Sequence, residues 1–99
     1  MPTTLKTTQK THRLTLSGEI GYSETAQLWE AIQHIAQHPK DTTLEWSNLN
    51  RIHFAGVQML IALRKTLEDH GCTLQCLEPS PDLYQQLRTF GVWHALVQP

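Results

Sequence analysis

Six histidines in 99 residues are the side chains of this sequence most able to do chemistry. His34 and His38 lie four residues apart in a segment with helical periodicity, and that spacing would let two imidazoles on one helix face share a zinc ion. No third ligand follows at a matching spacing, and both rings fall on the polar side of the helix. We therefore predict no metal site.

The serines and cysteines are the candidate nucleophiles. The serines fall at predicted strand ends, turns or helix caps, without a base or an orienting acid: Ser17, Ser23, Ser47 and Ser80. Cys72 and Cys76 share a predicted strand, where four residues span about 13 Å, too far for a disulfide or one shared metal. We predict inert thiols, no catalysis and no cofactor.

Charge and hydropathy restrict the class of partner. Eight basic and nine acidic residues give a net charge of -1, without the basic patch that nucleic acid or an anionic membrane surface requires. No apolar run reaches the roughly 18 to 20 residues of a membrane span, and the first residues lack the apolar core of a signal peptide. These features predict a single cytoplasmic domain over residues 1–99.

The hydrophobic pattern alternates between strand and helix periods. Predicted strands cover Thr3–Thr8, His12–Ser17, Thr42–Trp46 and Cys72–Leu77. Predicted helices cover Glu24–His38, Ala55–His70 and Pro81–Phe90, and the tail Val92–Val97 docks as a turn of helix or a short edge strand. The order predicts an α/β domain with a mixed, mostly parallel sheet of four to five strands packed with helices.

Local signals set the predicted boundaries. Gly18 ends the second strand, Ser23 caps the first helix, and Ser47–Arg51 forms a polar turn with Leu49 and Ile52 as anchors. Ser80 caps the third helix, where Pro81 takes the first helical position. The periodicity places these side chains against the core: Trp29, Trp46, Leu83, Tyr84, Leu87 and Phe90.

The segment Asn48–Gln58, where the third strand meets the second helix, is the predicted functional surface. A helix N-terminus presents unpaired N–H groups and the positive end of the helix dipole. Phe54 either projects beside a histidine as an interface anchor or folds into the core, and the sequence leaves both open. The predicted partner-binding residues are Arg51, His53, Phe54, Ala55, Gly56 and Gln58.

Three segments together resemble the STAS domain, the module of anti-sigma factor antagonists and of sulfate transporter tails. They are LTLSGEIGYSETAQLWEAI, LEWSNLNRIHFAGVQMLIAL and GCTLQCLEPSPDLYQQLRTFGV, which cover most of the chain. In the anti-sigma factor antagonists of that family, a partner kinase phosphorylates the residue just before a glycine. Here Ala55 precedes Gly56, and His53 stands where an acidic or hydroxyl residue is usual, so the resemblance implies a domain without the phosphorylation switch.

The resemblance also implies a function. It favours a non-catalytic protein interaction module of a bacterial signalling complex, bound to a kinase-like anti-sigma factor or a chemotaxis component. The alternatives are a STAS accessory subunit on the ATPase of a phospholipid-trafficking ABC transporter, and a small-ligand sensor. Ser47 is a further place where phosphorylation could act.

Overall fold

Four strands form one mixed sheet in the computed structural model, which describes residues 3–97. The strands are β1 Thr3–Thr7, β2 Thr11–Ile20, β3 Asp41–Ile52 and β4 Leu74–Cys76. They lie in the order β1-β2-β3-β4, with β1 antiparallel to β2 and the other two pairs parallel. The predicted α/β fold with a mostly parallel sheet is confirmed.

Four helices of residues 3–97 pack with this sheet. After a 3₁₀ turn over Tyr22–Glu24 they are α1 Thr25–Gln37, α2 Phe54–Asp69, α3 Pro81–Phe90 and α4 Trp93–Val97. Buried side chains of strands and helices join in one apolar cluster, to which α4 contributes the fully buried Leu96. The tail is therefore a helix, one of its two predicted forms. Within residues 3–97 no helix has the length and apolar character needed to cross a membrane.

Strand β2 continues past the residue predicted to end it. Gly18 has φ +69°, a left-handed conformation that most other residues avoid, yet the strand runs on to Ile20. At this point the pairing of β2 with β3 shifts register, because Gly18 pairs with Leu49 while Glu19 pairs with Arg51. The prediction of a strand end was wrong because Gly18 marks a bulge and the strand continues beyond it.

Strand β3 includes the segment Ser47–Arg51, which was predicted as a polar turn. Each of the two register shifts places one extra residue on β3. The buried positions consequently change from Trp46 to Leu49 and then to Ile52, with exposed polar residues between them. The turn prediction was wrong because two bulges break the strict alternation by which a strand is recognised.

The start of α1 also differs from its prediction. Gly21, in place of Ser23, occupies the N-cap position of the 3₁₀ turn, and its N–H donates to Glu24 Oε1 at 3.0 Å. The hydroxyl of Ser23 donates to the other carboxylate oxygen of Glu24. These two hydrogen bonds lower the pKa of the exposed Glu24 carboxyl, and the bond from Ser23 has the larger effect.

Two aromatic side chains that were predicted to be buried lie at the surface. Trp46 has no exposed area, but Trp29 is 44% exposed, since it lies about 100° around α1 from the buried Leu28. Phe90 is 37% exposed although it lies on the same face of α3 as Leu83 and Leu87, and it is the last residue of that helix. Tyr84 is half-buried, so Leu83 and Leu87 alone form the buried stripe predicted for α3.

Ser80 caps α3 as predicted and also ties it to β3. Its Oγ accepts from Leu83 N at 3.1 Å and donates to the carbonyl oxygen of Leu49 at 2.7 Å. Ser80→Ala removes both bonds, and we expect it to lower the free energy of unfolding by about 1 to 2 kcal/mol. Urea unfolding followed by circular dichroism measures this. Ser80→Thr, which keeps a hydroxyl, should recover most of the loss, and a Thr variant as unstable as the Ala variant would contradict the capping role.

Candidate functional site

The junction of β3 and α2 begins where Ile52 buries the last side chain of the strand. The next residue, His53, is the N-cap of α2, and its backbone N–H donates to Ile20 O at 2.6 Å, tying the junction to the end of β2. From the other side, the amide of Gln86 on α3 bonds both backbone groups of Ile52, at 3.0 Å to N and 2.9 Å to O. Three elements therefore hold this junction in place.

The first turn of α2 is capped by an imidazole. Nδ1 of His53 accepts from Ala55 N at 3.1 Å, so the proton of the neutral ring is on Nε2. The carbonyl oxygen of His53 accepts from Gly56 N at 2.8 Å and from Val57 N at 3.3 Å. Because the cap occupies the Ala55 N–H, this helix start does not offer the open row of donors that an anion site uses.

An aromatic surface surrounds the junction, formed by Tyr22, His53, Phe54 and Phe90. Phe54 is 44% exposed, which resolves its orientation in favour of the surface. Its ring meets that of Phe90 edge to face with centroids 5.3 Å apart, and the ring of Tyr22 meets that of His53 in the same way at 5.8 Å. Edge-to-face pairs hold exposed rings in a fixed arrangement, which lowers the entropy cost of binding through them.

The exposed large apolar residues of the described chain lie on or beside this surface. They are Tyr22, Trp29, Phe54 and Phe90, and Trp29 shares a shallow depression with Tyr22 and Met59. Clustering of exposed aromatic side chains is typical of interaction surfaces, whereas isolated ones are common on any protein. The clustering therefore supports an interaction surface at the junction.

Charged residues line a groove of about 340 Å³ between the rings of Phe54 and Phe90 and the end of the sheet. Arg51 on β3 and Glu19 on β2 are register partners across the two strands, and both are exposed. Within residues 3–97 the ion pairs are Arg13 with Glu45 and Arg64 with Glu68, so Arg51 is not held in one. Its guanidinium is free to pair with a carboxylate of a partner.

Of the six predicted site residues, four are exposed and two are partly or fully buried beneath them. Arg51, His53 and Phe54 come together at the junction, and Gln58 is exposed one turn further along α2. Ala55 is half-buried. Gly56 is buried, and a Cβ there would lie 3.0 Å from the side chain of Ile52, so this glycine supports the surface from beneath without offering one.

The site includes three residues that were not predicted from the sequence: Glu19, Tyr22 and Phe90. Phe90 lies 36 positions from Phe54 in the chain, and no local pattern indicates that their rings touch. The segment LTLSGEIGYSETAQLWEAI, which resembles part of the STAS domain, was a signal for the first two, because it contains both Glu19 and Tyr22.

The other candidate groups are engaged elsewhere. The hydroxyl of Ser47 donates to Glu45 Oε1 at 2.6 Å on the exposed side of β3. The ring centroids of His34 and His38 lie 5.3 Å apart. His12 is buried, and both of its ring nitrogens are in hydrogen bonds, one with Thr7 Oγ1 and the other with the carbonyl oxygen of His38. Among residues 3–97 no three His, Cys, Asp or Glu side chains are grouped to hold a metal.

The two cysteines are free thiols. Burial raises the pKa of the Cys76 thiol to about 11, and the nearby charge of Arg64 opposes this rise in part. Such a thiol is protonated at neutral pH, and the protonated form is a poor nucleophile and metal ligand. Cys76 therefore does not contribute reactive chemistry to the site.

Solved structures share this architecture. The anti-sigma factor antagonist SpoIIAA in its unphosphorylated form superposes with a TM-score of 0.77 at 19% identity, over 91% of this chain and 81% of that one. Phosphorylated SpoIIAA from Bacillus gives 0.73 at 20% identity, over 91% and 84%. An anti-sigma factor antagonist from Mycobacterium paratuberculosis gives 0.69 at 17% identity, over 91% and 77%. At these identities the likeness establishes the fold.

The family assignment rests on the sequence. No curated protein sequence is significantly similar to this chain. The family model described as "Mlab, STAS domain" matches residues 3–98, which is nearly the whole length. The strand order and the helix that follows β3 agree with that match, and so do the structural relatives. This chain belongs to the STAS domain family.

Proposed function

We propose that this STAS domain is a non-catalytic docking protein that binds a larger regulatory protein through the aromatic surface, without a phosphorylation switch at residue 55. The observation that carries the proposal is the clustering of exposed rings around a helix start whose residue 55 has no hydroxyl. A phosphate at this place would add about two negative charges at the helix N-terminus. Ala55 cannot accept one, so docking is constitutive.

The first candidate partner is a signalling protein, either a kinase-like anti-sigma factor or a chemotaxis component. The structural relatives named as anti-sigma factor antagonists support this class. The second candidate partner is the ATPase of a phospholipid-trafficking ABC transporter, which the name Mlab in the matching family description favours. Both candidates need a rigid binding surface and no catalytic group on this chain.

Affinity capture with the purified domain, read by quantitative mass spectrometry, tests the proposal. We expect one partner to be enriched by the wild type and reduced at least about tenfold by Phe54→Ala, because a central aromatic residue carries a large share of the binding energy. Phe90→Ala should act in the same direction, since Phe90 holds the ring of Phe54. Circular dichroism and thermal unfolding of each variant establish that it is folded.

Arg13→Ala is the matched control. Arg13 is exposed and lies near the start of β2, seven residues before Ile20, so most of the length of the strand separates it from the aromatic surface. Its loss should leave capture unchanged. The identity of the partner separates the two candidates: a kinase-like or receptor protein supports signalling and an ABC ATPase supports transport. Equal capture by all variants, or a stoichiometric phosphate at Ser47, would overturn constitutive docking through this surface.

A further inference from the structure

Two histidines mark the ends of α2, and their rings are bonded in opposite ways. At the N-terminal end Nδ1 of His53 accepts from Ala55 N at 3.1 Å, which requires a ring nitrogen without a proton. At the C-terminal end Nδ1 of His70 contacts the carbonyl oxygen of Thr66 at 2.8 Å, which requires a ring nitrogen that carries one. Protonation therefore has opposite consequences at the two ends of one helix.

A proton on His53 removes the cap. The imidazolium has two donors and no acceptor, so the Ala55 N–H loses its partner and faces another N–H group. The new positive charge also lies at the positive end of the dipole of a 16-residue helix. A proton on His70 keeps the bond to Thr66 and places the charge at the negative end of the same dipole.

The groups around His53 do not reverse this effect. The charged or titratable groups near the ring come from the 3₁₀ turn, β2 and β3: Tyr22, Glu19 and Arg51. Glu19 and Arg51 have opposite charges, so their effects on an imidazolium oppose each other. From α3 the neutral Gln86 and Phe90 line the same groove, and Asp82 lies in the adjoining one. All these groups act on the charge of His53, and none restores an acceptor to the Ala55 N–H.

We infer that His53 is a proton-sensitive cap: the neutral ring holds the first turn of α2, and protonation loosens that turn together with Phe54. Phe54 is the first residue of α2 and the neighbour of His53, so loosening acts directly on the aromatic surface. The inference stands on the hydrogen bonds of His53 and does not require the proposed docking function. The contribution of the cap is present where the ring is neutral and is lost as the pH falls.

Thermal unfolding of the whole chain between about pH 8 and pH 5, the range in which histidines change charge, tests the inference. His53→Asn is the informative variant, because Asn caps a helix well but does not titrate. We expect the Tm of the wild type to fall by roughly 4 to 8 °C more than that of His53→Asn over this range, the shift that corresponds to losing one cap in a domain of this size.

His70→Asn is the matched control at the other end of α2. It should not reduce the fall in Tm on acidification, because protonation of His70 keeps its bond to Thr66. In the wild type, the chemical shift of the Ala55 backbone amide in NMR spectra should change together with the protonation of the His53 ring. The protection of this amide against hydrogen exchange, corrected for the intrinsic exchange rate at each pH, should fall at low pH. Parallel Tm curves for the wild type and His53→Asn, or an Ala55 amide that does not respond to pH, would overturn the inference.

Discussion

A Trp46→Ala variant is expected to lose about 3 to 5 kcal/mol of its free energy of unfolding, measured by urea unfolding. Trp46 has no exposed area and is the largest fully buried side chain of the described chain. Its indole N–H donates to the carbonyl oxygen of Leu77 in the segment after β4. Alanine would leave both a cavity and a partly buried acceptor without its donor. A loss of this size approaches the whole stability of many domains.

Trp29→Ala is the control, because Trp29 is 44% exposed and its removal opens no internal cavity. We expect a change within about 1 kcal/mol. If Trp46→Ala fails to fold, Trp46→Phe keeps most of the packing volume and loses the donor, with an expected cost of about 1 to 3 kcal/mol. Equal losses for the alanine variants at Trp29 and Trp46 would contradict the different environments of the two side chains.

A Gly56→Val variant is expected to be destabilised by about 3 kcal/mol, at the upper end of what overpacking usually costs. A Cβ at this position would lie 3.0 Å from both Cγ1 and Cδ1 of Ile52 and 3.3 Å from Cδ2 of Leu28. Valine adds two methyl groups beyond that atom, and the fixed junction of β3 and α2 gives them little room. Thermal and urea unfolding measure the loss.

Gly56→Ala separates steric crowding from any other role of this glycine. The side chain of Ile52 can shift by a few tenths of an ångström to make room for one methyl group. In a helix, alanine is more favourable than glycine by up to about 1 kcal/mol. The net change for alanine should therefore stay within about 1 kcal/mol. A valine variant as stable as the wild type would contradict the close contact between α2 and the end of β3.

Much of the fold was predictable because its signals are local. Ser80 and Pro81 indicate the start of α3, and Gly91 its end, through cap geometry that depends on a few neighbouring residues. The helical periodicity of α2 indicated its length within one or two residues. The mixed, mostly parallel sheet followed from the alternation of strands with helices, since short connections leave few topologies. The family resemblance rested on these same elements.

The errors share a physical cause. Two bulges in the pairing of β2 with β3 changed which residues of β3 are buried, so the segment Ser47–Arg51 was predicted as a turn and Gly18 as a strand end. A bulge depends on the partner strand, and the sequence of one strand does not show its partner. Trp29 was misplaced because a tryptophan beside the apolar stripe of a helix looks like part of it until the neighbouring elements are in place.

The sequence by itself determined that residue 55 has no hydroxyl, that a histidine precedes α2, and that the chain has the strand and helix pattern of a STAS domain. These properties are set by residue identity and by short-range spacing. Only the tertiary structure decided that Phe54 points outward against Phe90 and that the ring of Tyr22 meets that of His53. Contacts between residues distant in sequence depend on how the helices pack on the sheet, which no local pattern specifies.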